Sequence, residues 1–264
     1  MVDNATPFYR CPDRLTSLKH SFFDLILGTN NTAALPATAS IGFVTFPTEV
    51  HQSILPLTDP AKNPANPNDT SWDPRDEKNK HTLLSAIAPL TVADGTHIAR
   101  KYADGAKLLI EHISTVEQGC AGYGVYFLTD GASYQDNRNT ANNTISPYLR
   151  SPSEISATCT GRDQGFDSKS SPRSWPCVAA IAGQLQQSAI KNGTNNINTE
   201  IKTAIVGFGS DFSFKNSSGN PVKFNSSLTG EAAAALFTDE VQKAAVKAAA
   251  AVQGGRYTAA HTAA

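Results

Sequence analysis

Residues Tyr123-Gly-Val-Tyr-Phe-Leu-Thr-Asp130-Gly-Ala-Ser133 decide how this chain is read. An apolar run of strand length ends in an aspartate, and glycine follows at once. In an open parallel sheet the working groups gather just past the carboxyl ends of the strands. An aspartate there, beside a glycine that frees the backbone to turn, is well placed to hold a cation or a polar ligand. A plain Asp-Gly turn is the simpler alternative.

Working outward, helical and strand patterns alternate. Pro12 and Asp13 open a helix with Leu15, Leu18, Phe22, Leu25 and Ile26 at helical spacing, and Gly28 ends it. Ser40 to Phe46 reads as a buried strand and Val50 to Leu57 as a more polar edge strand containing Pro56. A proline-bearing loop covers Asp59 to Asp76, and a short helix follows around Thr82 to Ala88. The turn Asp94-Gly95-Thr96 leads into a helix whose apolar face is Ile98, Tyr102, Leu109 and Ile113. Ala132 to Ser174 is polar and too long for an ordinary connection, so it is expected to be an insertion, either a binding loop or disordered. Trp175-Pro176 starts a helix with Val178, Ile181 and Leu185 inward and Gly193 beyond its end. Ile201 to Phe208 is the next strand, Asn216 to Leu228 a loop, and Gly230 to Val252 an Ala-rich helix before Gly254-Gly255. This alternation predicts an α/β fold with a mostly parallel sheet between two layers of helices.

The 264 residues suit one large domain or two small ones, and 22 basic against 23 acidic residues give no pull toward nucleic acid or an anionic membrane. No apolar run reaches the length of a membrane span. The start, Met1-Val-Asp-Asn4, lacks the basic region and apolar core of a secretory signal, so a piece of a longer protein is expected. Cys11, Cys120, Cys159 and Cys177 match no zinc or redox spacing; a disulfide-permissive compartment and buried free thiols both remain open. Seven Asn-x-Ser/Thr triplets are candidate glycosylation acceptors, and an Asn/Ser/Thr-rich chain also produces such triplets by chance. Gly207-Phe-Gly-Ser210 is not a hydrolase elbow, no nucleophile–base pair stands out, and an enzyme is not expected.

In order along the chain, the helix Arg14–Lys19 with the strand Ile41–Phe46, then Asp94-Gly-Thr96-His-Ile98, Phe127-Leu-Thr-Asp-Gly131 and Ile205-Val-Gly-Phe-Gly209 resemble a von Willebrand factor type A domain. Gly254-Gly-Arg-Tyr257 looks like that family's last strand. The Cys-bearing insertion and Val206 to Phe212 further resemble the amino-terminal domain of PilC/PilY-type adhesins at the tip of type IV pili. The resemblance implies one three-layer, Rossmann-like α/β/α domain over 1–264, with an insertion at 132–174. It is expected to be truncated at the first strand, reduced to Met1-Val2, and at the last helix, after Thr258 to Ala264.

It also implies a metal-ion-dependent adhesion site for Mg²⁺ or another divalent cation. Asp3, Thr96 and Asp130 match three of its ligand positions, while Ala5 and Pro7 replace two serines and supply no ligand. Such a hard ion wants oxygen ligands, and an under-neutralised one accepts a partner's carboxylate. Thr96 as a mere helix N-cap is the alternative. His97 is expected to face solvent or pack locally, and zinc is not expected because no second histidine lies at ligand spacing.

Within this topology Cys11 falls on the face of the site and Cys120 at the opposite end, so a Cys159–Cys177 bridge clamping the insertion is expected. The implied function is an extracellular or cell-surface binding module. Its partner would be a protein or host-surface ligand, pilus subunits or neighbouring domains, and the insertion would form part of the recognition surface. A metal-free assembly domain of a larger secreted protein is the alternative.

Overall fold

The structure, a computed structural model, describes residues 14–29, 33–36, 38–46, 51–57, 78–91, 95–116, 121–129, 133, 136–162 and 174–207, with 232, 234, 235, 243, 246 and 247. Expected features at 59–76, at 216–228 and at 254–257, most of 230–252, and the residues Asp3, Cys11, Cys120 and Asp130 lie outside the described residues. Ala232, Ala234, Lys243, Val246 and Lys247 are helical. The chain is mixed α/β and groups into two compact units, 1–42 with 55–92 and 43–54 with 93–264.

In the smaller unit α1 (Arg14–Leu27) packs on α2 (Lys78–Ile87). Ile26, Leu83 and Ile87 are buried, but Leu25, expected on the apolar stripe, is 38% exposed. Ile26 occupies the inward direction, and its neighbour in sequence is turned about 100° away along a helix of 3.6 residues per turn. Gly28 ends α1 with φ +77, its N–H bonding the carbonyl of Asp24 at 2.8 Å; a Cβ there would lie 3.0 Å from the Ala34 nitrogen. Only glycine meets both demands. The Lys19 ammonium donates to the Ala88 carbonyl at 2.7 Å, satisfying one of the orphan acceptors at the end of α2. Strands β1 (Ser40–Val44) and β2 (His51–Pro56) pair with each other.

The larger unit is built on α3 (Ile98–Ile113). Ile98, Ala99, Tyr102, Ala103, Ala106, Ile110 and Ile113 recur every three or four residues and are buried, so the helix presents one apolar stripe. Against it lie β3 (Tyr123–Thr129) and β6 (Ile201–Gly207), parallel from Tyr123↔Ile201 to Thr129↔Gly207. Phe127, Ile201, Thr203 and Ile205 are buried, while Gly124, Tyr126 and Lys202 are exposed, as the two-residue period of a strand requires. Phe127 meets three rings edge-on: Phe46 at 5.6 Å, Tyr102 at 5.7 Å and Trp175 at 6.2 Å. Tyr102 also shares a 2.6 Å hydrogen bond with the Thr203 hydroxyl. Burial pushes its phenol well above the ordinary value, and the Thr203 bond only partly offsets this.

The stretch 132–174, expected as a binding loop or as disorder, is in good part packed structure. It holds α4 (Arg138–Ile145), a 3-10 turn (Ser146–Tyr148) and α5 (Ser153–Ser156). Ala141, Ile145, Leu149 and Ile155 have no exposure and belong to the same core as α3. Buried apolar groups spaced by four among Asn, Ser and Thr are enough to dock it. Asn137 caps α4 by accepting the Thr140 N–H at 3.3 Å, and the buried Arg138 donates to the Thr160 carbonyl at 2.7 Å.

Helix α6 (Ser174–Gln186) buries Trp175, Val178, Ile181 and Leu185, and carries Pro176 in its first turn, where no N–H is missed. A hairpin not expected from the sequence follows, β4 (Ile190–Asn192) with β5 (Asn195–Ile197). Gly193, expected simply to lie past α6, is its first turn residue with φ +61, the position a tight two-residue hairpin loop reserves for glycine. Arg150 grips both of its strands, donating to the carbonyls of Ile190 at 3.2 Å and Ile197 at 3.1 Å.

Near the end of α3, Tyr148 donates to a carboxylate oxygen of Glu111 at 2.5 Å and the Lys107 ammonium sits 3.0 Å from the same carboxylate. Partial burial opposes ionisation of Glu111, but the Tyr148 and Lys107 bonds outweigh it and hold the carboxyl below its ordinary 4.5. Burial, then the bond and charge of Glu111, push the Tyr148 phenol up to about 12 from 10.0.

Two outcomes follow from this packing. Phe127→Ala removes the common partner of three rings and should cost about 3–5 kcal/mol in urea unfolding; a loss below about 1 kcal/mol would contradict the placement. The Glu111 contribution is present above pH 4.5 and lost as pH falls through its lowered folded value; that of Tyr148 is present below pH 10.0 and lost as pH rises toward about 12. Melting temperatures of Glu111→Gln and the native chain should therefore differ at neutral pH and converge once the pH has fallen through the lowered value of Glu111.

Candidate functional site

An α-helix leaves its first amides without intrahelical partners, and the sequence around the start of α3 offers few to meet them. The N-cap is His97, with φ −83 and ψ 69, and its side chain makes no capping bond. Thr96, half-buried, lends only its carbonyl, which accepts the Ile98 N–H at 3.0 Å. The capping role weighed for Thr96 falls instead to Asp136. Its Oδ2 accepts the Ala99 N–H at 2.7 Å and its Oδ1 the Arg100 N–H at 3.3 Å.

Asp136 has no solvent exposure. A buried carboxylate is tolerated only when its oxygens are bonded, and the amide end of α3 supplies both donors and a favourable dipole. Ser133, 1% exposed, places its hydroxyl 3.5 Å from Oδ2 and bonds the hydroxyl of the fully buried Ser174 at 2.9 Å. Hydroxyls so linked polarise one another and strengthen the chain of bonds. The polar string Ser174–Ser133–Asp136 thus joins the first residue of α6, the segment after β3 and the first turn of α3.

Three residues beyond Ser174, Cys177 is bonded to Cys159, with Cα atoms 4.8 Å apart. This is the pairing expected from the topology, and both cysteines are fully buried. It fastens the start of α6 to the segment that follows α5. Among the described residues the buried Trp175 indole N–H and His97 Nδ1 meet no hydrogen-bond partner. His97 is half-buried, closer to the local-packing expectation than to a solvent-facing one.

Of the three expected ligands, Thr96 alone is described, directly ahead of α3. Asp130 follows the last residue of β3 in the chain; it and Asp3 lie outside the described residues. Among the described residues no group of three or more His, Cys, Asp or Glu side chains could hold a metal ion. Asp136, Ser133 and Ser174 escaped the sequence reading because they fall at the edges of a stretch read as loop. The available signal was indirect: a helix opening on His97 needs a cap from elsewhere, and Asp136 is a carboxylate just past the strand that α3 packs on. Comparison with protein-family models, with characterised proteins and with solved structures finds no match.

Replacing Cys159 and Cys177 together by serine should lower stability by about 3 kcal/mol, the loop-closure contribution of a bridge of this span. Urea midpoints indistinguishable from the native chain would contradict a bridge formed in the folded protein.

Proposed function

We propose that this chain is a binding module of the von Willebrand A type, with the family's three-layer α/β/α architecture, on the exterior of a bacterial cell. In this reading it serves a pilus-associated surface protein and engages a protein or host-surface ligand through a cation held by Thr96 and Asp130. The supporting observation is the buried Asp136 carboxylate, which ties the segment after β3 to Ala99 and Arg100, three and four residues beyond Thr96. Asp130 stands three residues before Ser133 in that segment. In this reading the two loops named by the resemblance share one rim at the amino end of α3.

The donor chemistry agrees. Threonine hydroxyl and aspartate carboxylate are oxygen ligands, suited to Mg²⁺ or another hard divalent ion and poorly suited to a soft metal. A bound ion with so little negative charge around it supplies Lewis acidity toward a partner's carboxylate. The chain's own part is to hold the hydroxyl and carboxylate in fixed register. An extracellular location fits a buried disulfide, since such bonds persist in oxidising compartments. Among the described residues no helix is long and apolar enough to cross a membrane.

The second reading, a metal-free assembly domain of a larger secreted protein, draws support from the insertion. Its apolar residues Ala141, Ile145, Leu149 and Ile155 turn into the core and are not available to a partner. Calorimetric titration with Mg²⁺ and Mn²⁺ separates the two. The adhesion reading expects binding at millimolar ion or tighter, abolished by Asp130→Ala and weakened about tenfold, some 1.4 kcal/mol, by Thr96→Ala. No uptake of either ion by the native chain would favour the assembly domain.

A further inference from the structure

We infer that Asp136 is a positioning residue: it is the strut that fixes the Thr96 segment, and through it the ligand geometry of the proposed cation site on which this inference rests. Three observations carry it. Asp136 is wholly buried, and both of its oxygens are committed to backbone amides of α3, at 2.7 Å and 3.3 Å. It is therefore placed to act through the backbone and not as a ligand. Those amides belong to Ala99 and Arg100, three and four residues beyond Thr96, in the turn where the N-cap side chain contributes nothing. On its other side Asp136 meets Ser133, which is bonded to Ser174 at the head of α6, close to the Cys159–Cys177 bridge. The strut thus has a rigid footing: the disulfide-clamped start of α6 supports Ser133, and Ser133 supports the carboxylate.

The physical consequence is local. Without the carboxylate the Ala99 and Arg100 amides lose these acceptors, and the turn that follows Thr96 loses its tie to the segment after β3. The rest of α3 keeps its apolar stripe of Tyr102, Ala106, Ile110 and Ile113 and should not respond. Groups that orient a metal ligand without touching the metal typically change affinity by 10–100-fold.

The test uses the full chain as Asp136→Asn, which keeps the shape and removes the charge, with Asp136→Ala and Ser133→Ala as companions should either replacement at 136 fold poorly. Amide hydrogen exchange is followed by NMR, and Mn²⁺ affinity by calorimetry on folded protein. The expected result is exchange at least about tenfold faster at Ala99 and Arg100, unchanged exchange at 106–113, and Mn²⁺ affinity about tenfold weaker. Faster exchange throughout α3 would mean a role in general stability only and overturn the inference. So would native exchange at Ala99 and Arg100, or native Mn²⁺ affinity in the variant. A native chain that takes up no Mn²⁺ overturns the cation reading itself, and the exchange pattern alone then decides whether Asp136 is a strut.

Discussion

A carboxylate sealed from water must be met by donors, and in this protein the donors are the free amides at the start of one helix. Asp136 and the first turn of α3 satisfy each other: His97 does not cap the helix with its side chain, and the carboxylate has no exposed surface. This exchange fixes where the chain goes after β3. It must come back to the amino end of α3, whatever else the segment does, because leaving either side unpaired would cost about 1–3 kcal/mol or more. The junction between the segment after β3 and the amino end of α3 is therefore a consequence of polar satisfaction in the core.

The same helix organises the apolar side. Its buried stripe faces β3, α4 and α6 together, so strand, insertion and following helix share one wall. Phe127 meets Phe46, Tyr102 and Trp175 around this wall, and the Tyr102–Thr203 bond allows a phenol to sit in the interior. The Cys159–Cys177 bridge then sets where α6 begins. Apolar packing and the polar string consequently act on the same elements, and movement of one is resisted by the other.

The elements with strong periodicity were legible. The apolar run that ends at Asp130 coincides with β3, and α3, α6 and β6 fall within a few residues of their sequence patterns, because a long stripe or an uninterrupted apolar run leaves little choice. Reading the insertion failed for a physical reason. Ala141, Ile145 and Leu149 do recur every fourth residue, but the intervening Asn, Ser and Thr lower the mean hydropathy until the stripe disappears. The β4–β5 hairpin is three residues per strand, too short for alternation to register, and only Asn192-Gly193 signals the turn. Asp136 was hidden more deeply. Its bonds reach 36 and 37 residues back along the chain, and no local pattern encodes them. The resemblance located Thr96 and Asp130, residues that would touch a ligand, but it was silent on what holds them.

The claim at the centre is that the loop before α3 and the segment after β3 form a single cation-holding rim. Crystals grown with Mn²⁺ and measured for anomalous scattering address it without a variant. The account predicts one peak bonded at about 2.1–2.2 Å to both the Thr96 hydroxyl and an Asp130 carboxylate oxygen. A well-ordered crystal with no such peak, or with Thr96 and Asp130 at opposite ends of the molecule, would contradict it.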